Sequence, residues 1–142
     1  MTASGAKPKP PSRVRVKWAG GHQFDTGREN GSVARFDGDG ITAQTPPEAL
    51  LSALGSCVSV DVLDILAKRR TPVESLEIDV VGLRVDTTPR RFRHITLDFV
   101  ISGKGIERAQ AERAVELAVT KYCSVRDSLD PDMPVVWTID LR

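Results

Sequence analysis

Val14, Val16 and Trp18 alternate with Arg15 and Lys17, the two-residue period of a strand with one buried face. Gly20 and Gly21 bend or bulge the chain after it, and a second strand through Ser32 to Phe36 is expected to close a hairpin that the DGDG turn at 37–40 ends. At Thr45 the pattern changes. Thr45-Pro46-Pro47-Glu48 places a capping hydroxyl first, prolines where a missing N–H costs least, and a glutamate three residues on, which predicts a helix start. Residues 49–60 carry no charge, apolar positions continue to Leu66, and Lys68, Arg69 and Arg70 complement the negative end before Pro72 stops the helix. A helix apolar on every face, and by this reading too short to span a bilayer, belongs in the middle of the protein or at a subunit interface.

Leu76, Ile78 and Val80 then alternate with Glu77 and Asp79, after which the apolar parity passes to Val81, Leu83 and Val85 around Gly82. A bulge near Gly82 is the expected cause. After a DTTPR turn, Ile95, Leu97, Phe99 and Ile101 resume the alternation and predict a long antiparallel hairpin with one buried face. From Ile106 to about Tyr122 the period is helical, with Ala111, Val115, Ala118, Val119 and Tyr122 on one side. Ser124 is placed to cap a short helix in SVRDSL, whose positive end would favour a thiolate nearby, and a last strand carries Val135, Trp137, Ile139 and Leu141 on one face. Strands, helix, hairpin, helix and strand in this order imply an α+β fold with antiparallel sheet around helices, not a doubly wound parallel sheet. Residues 1–12, with three prolines and little to pack, read as a disordered tail, and 13–142 as a single domain.

Composition narrows the function. Lys plus Arg at 20 against Asp plus Glu at 19 leave no net field to draw nucleic acid or anionic membrane, so neither is an expected partner. Nothing marks the chain for export, and two cysteines make no disulfide framework, so a cytoplasmic protein is expected. In that compartment a thiol pair that oxidises is more often catalytic or sensing than structural. No glycine-rich phosphate loop opens a helix, and no cofactor is expected.

The chemistry-bearing residues are few. Cys57 lies about three turns into the first helix beside Gly55, Ser56 and Ser59, small residues that let backbone or a ligand approach; Cys123 follows the second helix. Their bland reading is two small core hydrophobes. Glu48 is explained by the capping box alone, and nine residues at about 100° each put it half a turn away from Cys57. Either the helix bends near Gly55 or Glu48 serves a site in a neighbouring copy of the chain. Arg28, in TGRENG, has the fork to bind a carboxylate such as Glu48, though a lone loop arginine is commonly solvated. His22 and His94 complete a nominal Cys2His2 set without metal-ligand spacing, so no metal is expected. Arg69, Arg70, Arg84, Arg90, Arg91 and Arg93 lack interleaved aromatics and read as a solvated face.

PPEALLSALGSC, VELAVTKYCSV and the KRRTPVESLEIDVVGLRVDTTPRRFRHITLDFVISG between them resemble the OsmC/Ohr family of thiol-dependent peroxidases, from about Arg13 to the C-terminus. The resemblance implies an intertwined homodimer in which antiparallel sheets wrap two main helices, with active sites at the subunit interface. It implies Cys57 as the peroxidatic cysteine, Cys123 as the resolving cysteine and Glu48 as the acid that orients an arginine. Better-studied members carry that arginine directly after a glycine pair, where this chain has His22; Arg28 is the nearest candidate. The implied substrate is an organic hydroperoxide and the implied reductant a small dithiol or a lipoylated protein. The alternative is a non-catalytic module that binds a small ligand or senses redox state.

Overall fold

A computed structural model describes residues 7–142. Residues 1–6 of the expected tail lie outside the described residues; residues 7–14 are exposed and form neither helix nor strand. The chain divides into two compact units, Met1–Ala49 and Leu50–Arg142.

The first unit is a three-stranded antiparallel meander of β1 (Arg15–Trp18), β2 (Gln23–Gly27) and β3 (Val33–Asp37). β2 was not expected: the strand from Val33 pairs with β2 and not with β1, so the anticipated hairpin is a three-stranded sheet. QFDTG offers one large apolar residue, too little for an alternation to register, and its pairing is fixed instead by flanking turns and cross-strand groups. Gly20 and Gly21 take φ of 100° and 54°, conformations a side chain disfavours, and turn β1 into β2 as expected. Asp25 and Arg35 face each other across the β2–β3 ladder and form a 2.6 Å ion pair. After β3 the Asp37 carboxylate accepts the N–H groups of Asp39, Ile41 and Thr42 and the Thr42 hydroxyl, which closes the DGDG turn around one buried side chain.

The capping box forms as the sequence predicts: Thr45 N–H donates to Glu48 Oε1 at 2.8 Å and Glu48 N–H to Thr45 Oγ1 at 3.3 Å, opening α1 (Pro46–Lys68). The helix ends before Pro72 is reached. Arg70 adopts φ 62°, and Arg70 and Thr71 donate back to Ala67 and Leu66, a Schellman closure with arginine where glycine is commoner. At 23 residues α1 is, by length and composition alone, long and apolar enough to cross a bilayer, contrary to the expectation from its sequence. Its Leu54, Val58, Val62 and Leu66 are nevertheless wholly buried, and so belong to a protein core.

That core lies in the second unit. β4 (Ser75–Arg84) pairs antiparallel with β5 (Phe92–Ser102), whose Ile95, Leu97, Phe99 and Ile101 are at most 1% exposed. The parity switch at Gly82 does not occur. Leu76, Ile78, Val80 and Gly82 keep one face, Val81 and Leu83 are left exposed on the other, and the register slips only between Leu83 and Arg84. Gly82 marks a close approach: a Cβ there would sit 2.5 Å from the Phe92 ring and 3.0 Å from Leu51. α2 (Arg108–Leu117) buries Ala111, Ala114 and Val115 against this core and continues into a π-helical turn, Ala118–Tyr122. α3 (Ser124–Asp127) follows, and β6 (Val135–Leu141) returns parallel to β5, so the sheet is mixed, not wholly antiparallel. The helical connection between β5 and β6 is what a parallel neighbour requires.

Candidate functional site

The π turn sets where the second thiol falls. Cys123 N–H bonds the carbonyl of Ala118, five residues back, which inserts one residue into the helical advance. Two expectations change with it. Tyr122, placed on the buried side by helical spacing, is 52% exposed, and the cap of α3 is Cys123 itself, not Ser124. Cys123 Sγ accepts the Arg126 N–H at 3.3 Å, while the Arg126 guanidinium donates to the carbonyls of Asp130 and Met133 and so ties α3 to the loop that follows.

Cys57 comes from the middle of α1, half-buried, with Ser56 and Ser59 hydroxyls turned back onto the helix carbonyls of Ser52 and Gly55. Gly55 is small for packing, not for a ligand: a Cβ there would lie 2.8 Å from Val80. The fold brings Cys57 and Cys123, 66 residues apart in sequence, near enough for each to shift the other's ionisation, and Ser124 Oγ stands 4.0 Å from Cys57 Sγ. Both thiols are free.

The electrostatics of the pair are unequal. Burial pushes the Cys57 thiol up, but the Val125 N–H, the Cys123 thiol, and the hydroxyl and N–H of Ser124 all stabilise its thiolate and together carry it below the ordinary thiol value. Cys123 is 3% exposed. Burial raises it, the Arg126 N–H opposes, and the charge of a neighbouring Cys57 thiolate raises it further, to about 11. Where one of the two ionises near neutral pH, it is Cys57. The helix start that the sequence offers as favouring a thiolate nearby is the one whose Ser124 and Val125 groups act on Cys57; sequence reasoning missed that Cys57 is the thiol served and that Arg126 fixes this helix, since the π turn that aims those amides has no side-chain period.

Arg28 lies on the β2–β3 turn of the first unit, exposed, its guanidinium without a hydrogen bond or ion pair among the described residues. Glu48 is held by its capping box, and the Thr45 N–H lowers its carboxyl below the usual range. His22 Nδ1 is 2.8 Å from Asp39, whose hydrogen bond raises the imidazole pKa, and His94 lies within β5. Among the described residues no three His, Cys, Asp or Glu side chains gather to hold a metal ion.

A paired thiol on a central helix and on the turn after a second helix, over a sheet of this topology, defines a thiol-bearing α+β domain. Residues 37–138 match the family model described as OsmC-like protein, and the chain belongs to that family. It is 39% identical over 114 residues to Protein YhfA of Escherichia coli strain K12, a match covering 80% of this chain and 85% of that protein. A crystal structure of a hypothetical protein from Aquifex aeolicus superposes with a TM-score of 0.80 at 28% identity, over 94% of this chain and 99% of that one. OhrB of Bacillus subtilis, named an organic hydroperoxide resistance protein, shares the fold at a TM-score of 0.58 and 17% identity, over 92% of this chain and 96% of its own.

Proposed function

We propose that the protein is a thiol-dependent peroxidase that reduces organic hydroperoxides, acting in the cytoplasm as a homodimer. The observation that carries this reading is that the fold places Cys57, Cys123 and the Ser124 hydroxyl together, with Cys57 the more acidic thiol of the two. The Cys57 thiolate attacks the distal peroxide oxygen; the O–O bond breaks, the alkoxide takes a proton and leaves as alcohol, and Cys57 becomes a sulfenic acid. Loss of the thiolate charge removes one cause of the high Cys123 pKa. Cys123 sulfur then attacks Cys57 sulfur, its proton leaves with the displaced hydroxide as water, and a disulfide forms. A small dithiol or a lipoylated protein restores both thiols. Arg28 supplies the guanidinium that stabilises the developing charge and Glu48 orients it, each from whichever subunit brings it to Cys57. The name of the Bacillus relative supports the substrate class, and the open apolar positions Val60 and Leu63 on α1 support a second subunit against that helix.

The test is intact mass and thiol count on the reduced protein before and after one equivalent of cumene hydroperoxide. Loss of two hydrogens and both thiols per chain is expected, with Cys57→Ser inert and Cys123→Ser stopping at a sulfenic acid that dimedone traps. Iodoacetamide should label Cys57 in a pH range below the ordinary thiol value of about 8.5. Slow oxidation of Cys57 with no turnover by any dithiol would instead establish the ligand-binding or redox-sensing module.

A further inference from the structure

The parity of β4 leaves Val81 and Leu83 on the outer face of the second sheet, turned away from the core, and Val136 of β6 joins them across Thr96. The three are 49%, 45% and 44% exposed. Along the strands this apolar band separates two ends of opposite charge. Toward one end Glu77, Asp79, Asp98 and Asp140 share the face, with Arg142 offsetting one of them through its ion pair to Asp140. Asp79 stands directly opposite Asp98, a like-charge cross-strand pair that costs the sheet stability on its own. Toward the other end the β4–β5 turn carries Arg90, Arg91 and Arg93, all exposed, against Asp86.

We propose that this face is a self-association surface, on which a second copy of the chain packs with the same face, turned end for end about a two-fold axis through the Val81–Thr96–Val136 row. It lies on the opposite side of the second sheet from the buried face of α1, so it is separate from the helix contact of the proposed dimer and joins dimers to one another. In a two-fold contact one patch must serve both copies, and an apolar band with opposite charges at its two ends is its own complement. Strands rise about 3.4 Å per residue, so Glu77 lies about 13 Å from the axis and Arg93 about 10 Å from it on the other side. The rotation therefore sets the carboxylates of each copy against the guanidiniums of the other, twice. Stacking without rotation would place like charge on like. A foreign partner would need this same pattern reversed, a condition that a second copy meets by symmetry. Three apolar side chains with charges at the rim make a small contact, so it forms and dissolves with concentration and weakens as salt screens the charges.

The test is sedimentation velocity over a rising concentration series. In dilute salt the parent's mass should double from the unit it holds at about 1 M sodium chloride, where charges are screened within about 3 Å. Glu77→Lys with Asp79→Lys makes both ends basic, and Arg90→Glu with Arg91→Glu makes both acidic. Each of these variants alone should self-associate about tenfold more weakly than the parent, and an equimolar mixture of the two should associate again. A parent that does not double in dilute salt overturns the proposal, as does a mixture no more associated than its components. Every changed side chain is exposed, so both variants should keep the parent's urea midpoint. Where one does not, the salt dependence of the parent still decides. Should the parent be a monomer in high salt, the helix contact of the proposed dimer falls, while doubling of that monomer in dilute salt still supports this face.

Discussion

Strands β1 and β5, one from each sheet, both announce themselves by alternation, yet they end in opposite states. Along β5, Ile95, Leu97, Phe99 and Ile101 are sealed against α1 and α2. On β1 the equally regular Val16 and Trp18 are 61% and 66% exposed, and Val33 of β3 is 69% exposed. Alternation thus states that a face needs a cover and leaves open what supplies it. Where the cover is in the chain, apolar burial holds the sheet. Where it is not, the first unit relies on polar closure, with Asp37 gathering four hydrogen bonds at the end of β3.

The hardest test of this contrast is Phe99→Ala. A wholly buried ring removed from the β5 face should cost about 3–5 kcal/mol, read as a fall in the urea midpoint with an unchanged slope. A loss below about 1 kcal/mol would mean that the second sheet is no better covered than the first.

Gly82→Ala tests the same face from the opposite direction, by adding an atom. The new Cβ would press on the Phe92 ring and Leu51, and overpacking of this kind costs about 1–3 kcal/mol. Were Gly82 a bulge in a loose strand, as the parity of Val81 and Leu83 suggested, the substitution would be nearly silent.

Asp37 sharpens the contrast on the other side. Its carboxyl is held at about 2, mainly by the Thr42 and Asp39 N–H groups against the opposing effect of burial. A depressed folded-state pKa contributes stability that is complete above the unfolded value of about 3.9 and is lost as pH falls through about 2. The Asp39, Ile41 and Thr42 amide resonances should therefore shift together with a midpoint near pH 2, while the β5 amides hold. Amides that titrate near 4 would show the Asp37 bonds to be too weak to close the turn.

Most of the fold was legible where one side-chain period ran unbroken, in β1, β5 and Val135 to Leu141 of β6, and where a capping box marked the Thr45–Glu48 start of α1; in β4 the period was misread at Gly82. What escaped was decided by backbone. β2 has too few apolar residues to signal itself, the parallel pairing of β6 depends on the crossover of α2, and the π turn shifts hydrogen bonds without altering the side-chain pattern. The candidate site divides in the same way. Cys57 and Cys123 were singled out by residue type, but spacing carried no sign of their contact, which only the resemblance implied. The amides of Ser124 and Val125 that favour the Cys57 thiolate were signalled only as the start of a short helix, without the thiol they serve.

The smallest effect belongs to β1. Val16→Thr combined with Trp18→Ser removes apolar surface that the chain itself does not cover, and exposed substitutions of this kind stay within about 0.5 kcal/mol each. At concentrations where the protein is monomeric, the urea midpoint should scarcely move, in contrast to Phe99→Ala. If the proposed second subunit covers this face, the same variant should sediment as a monomer at concentrations where the parent sediments as a dimer, because the apolar area lost belongs to association and not to folding. A variant that loses several kcal/mol as a monomer would show that β1 is already covered within the chain, and the contrast between the two sheets would fall.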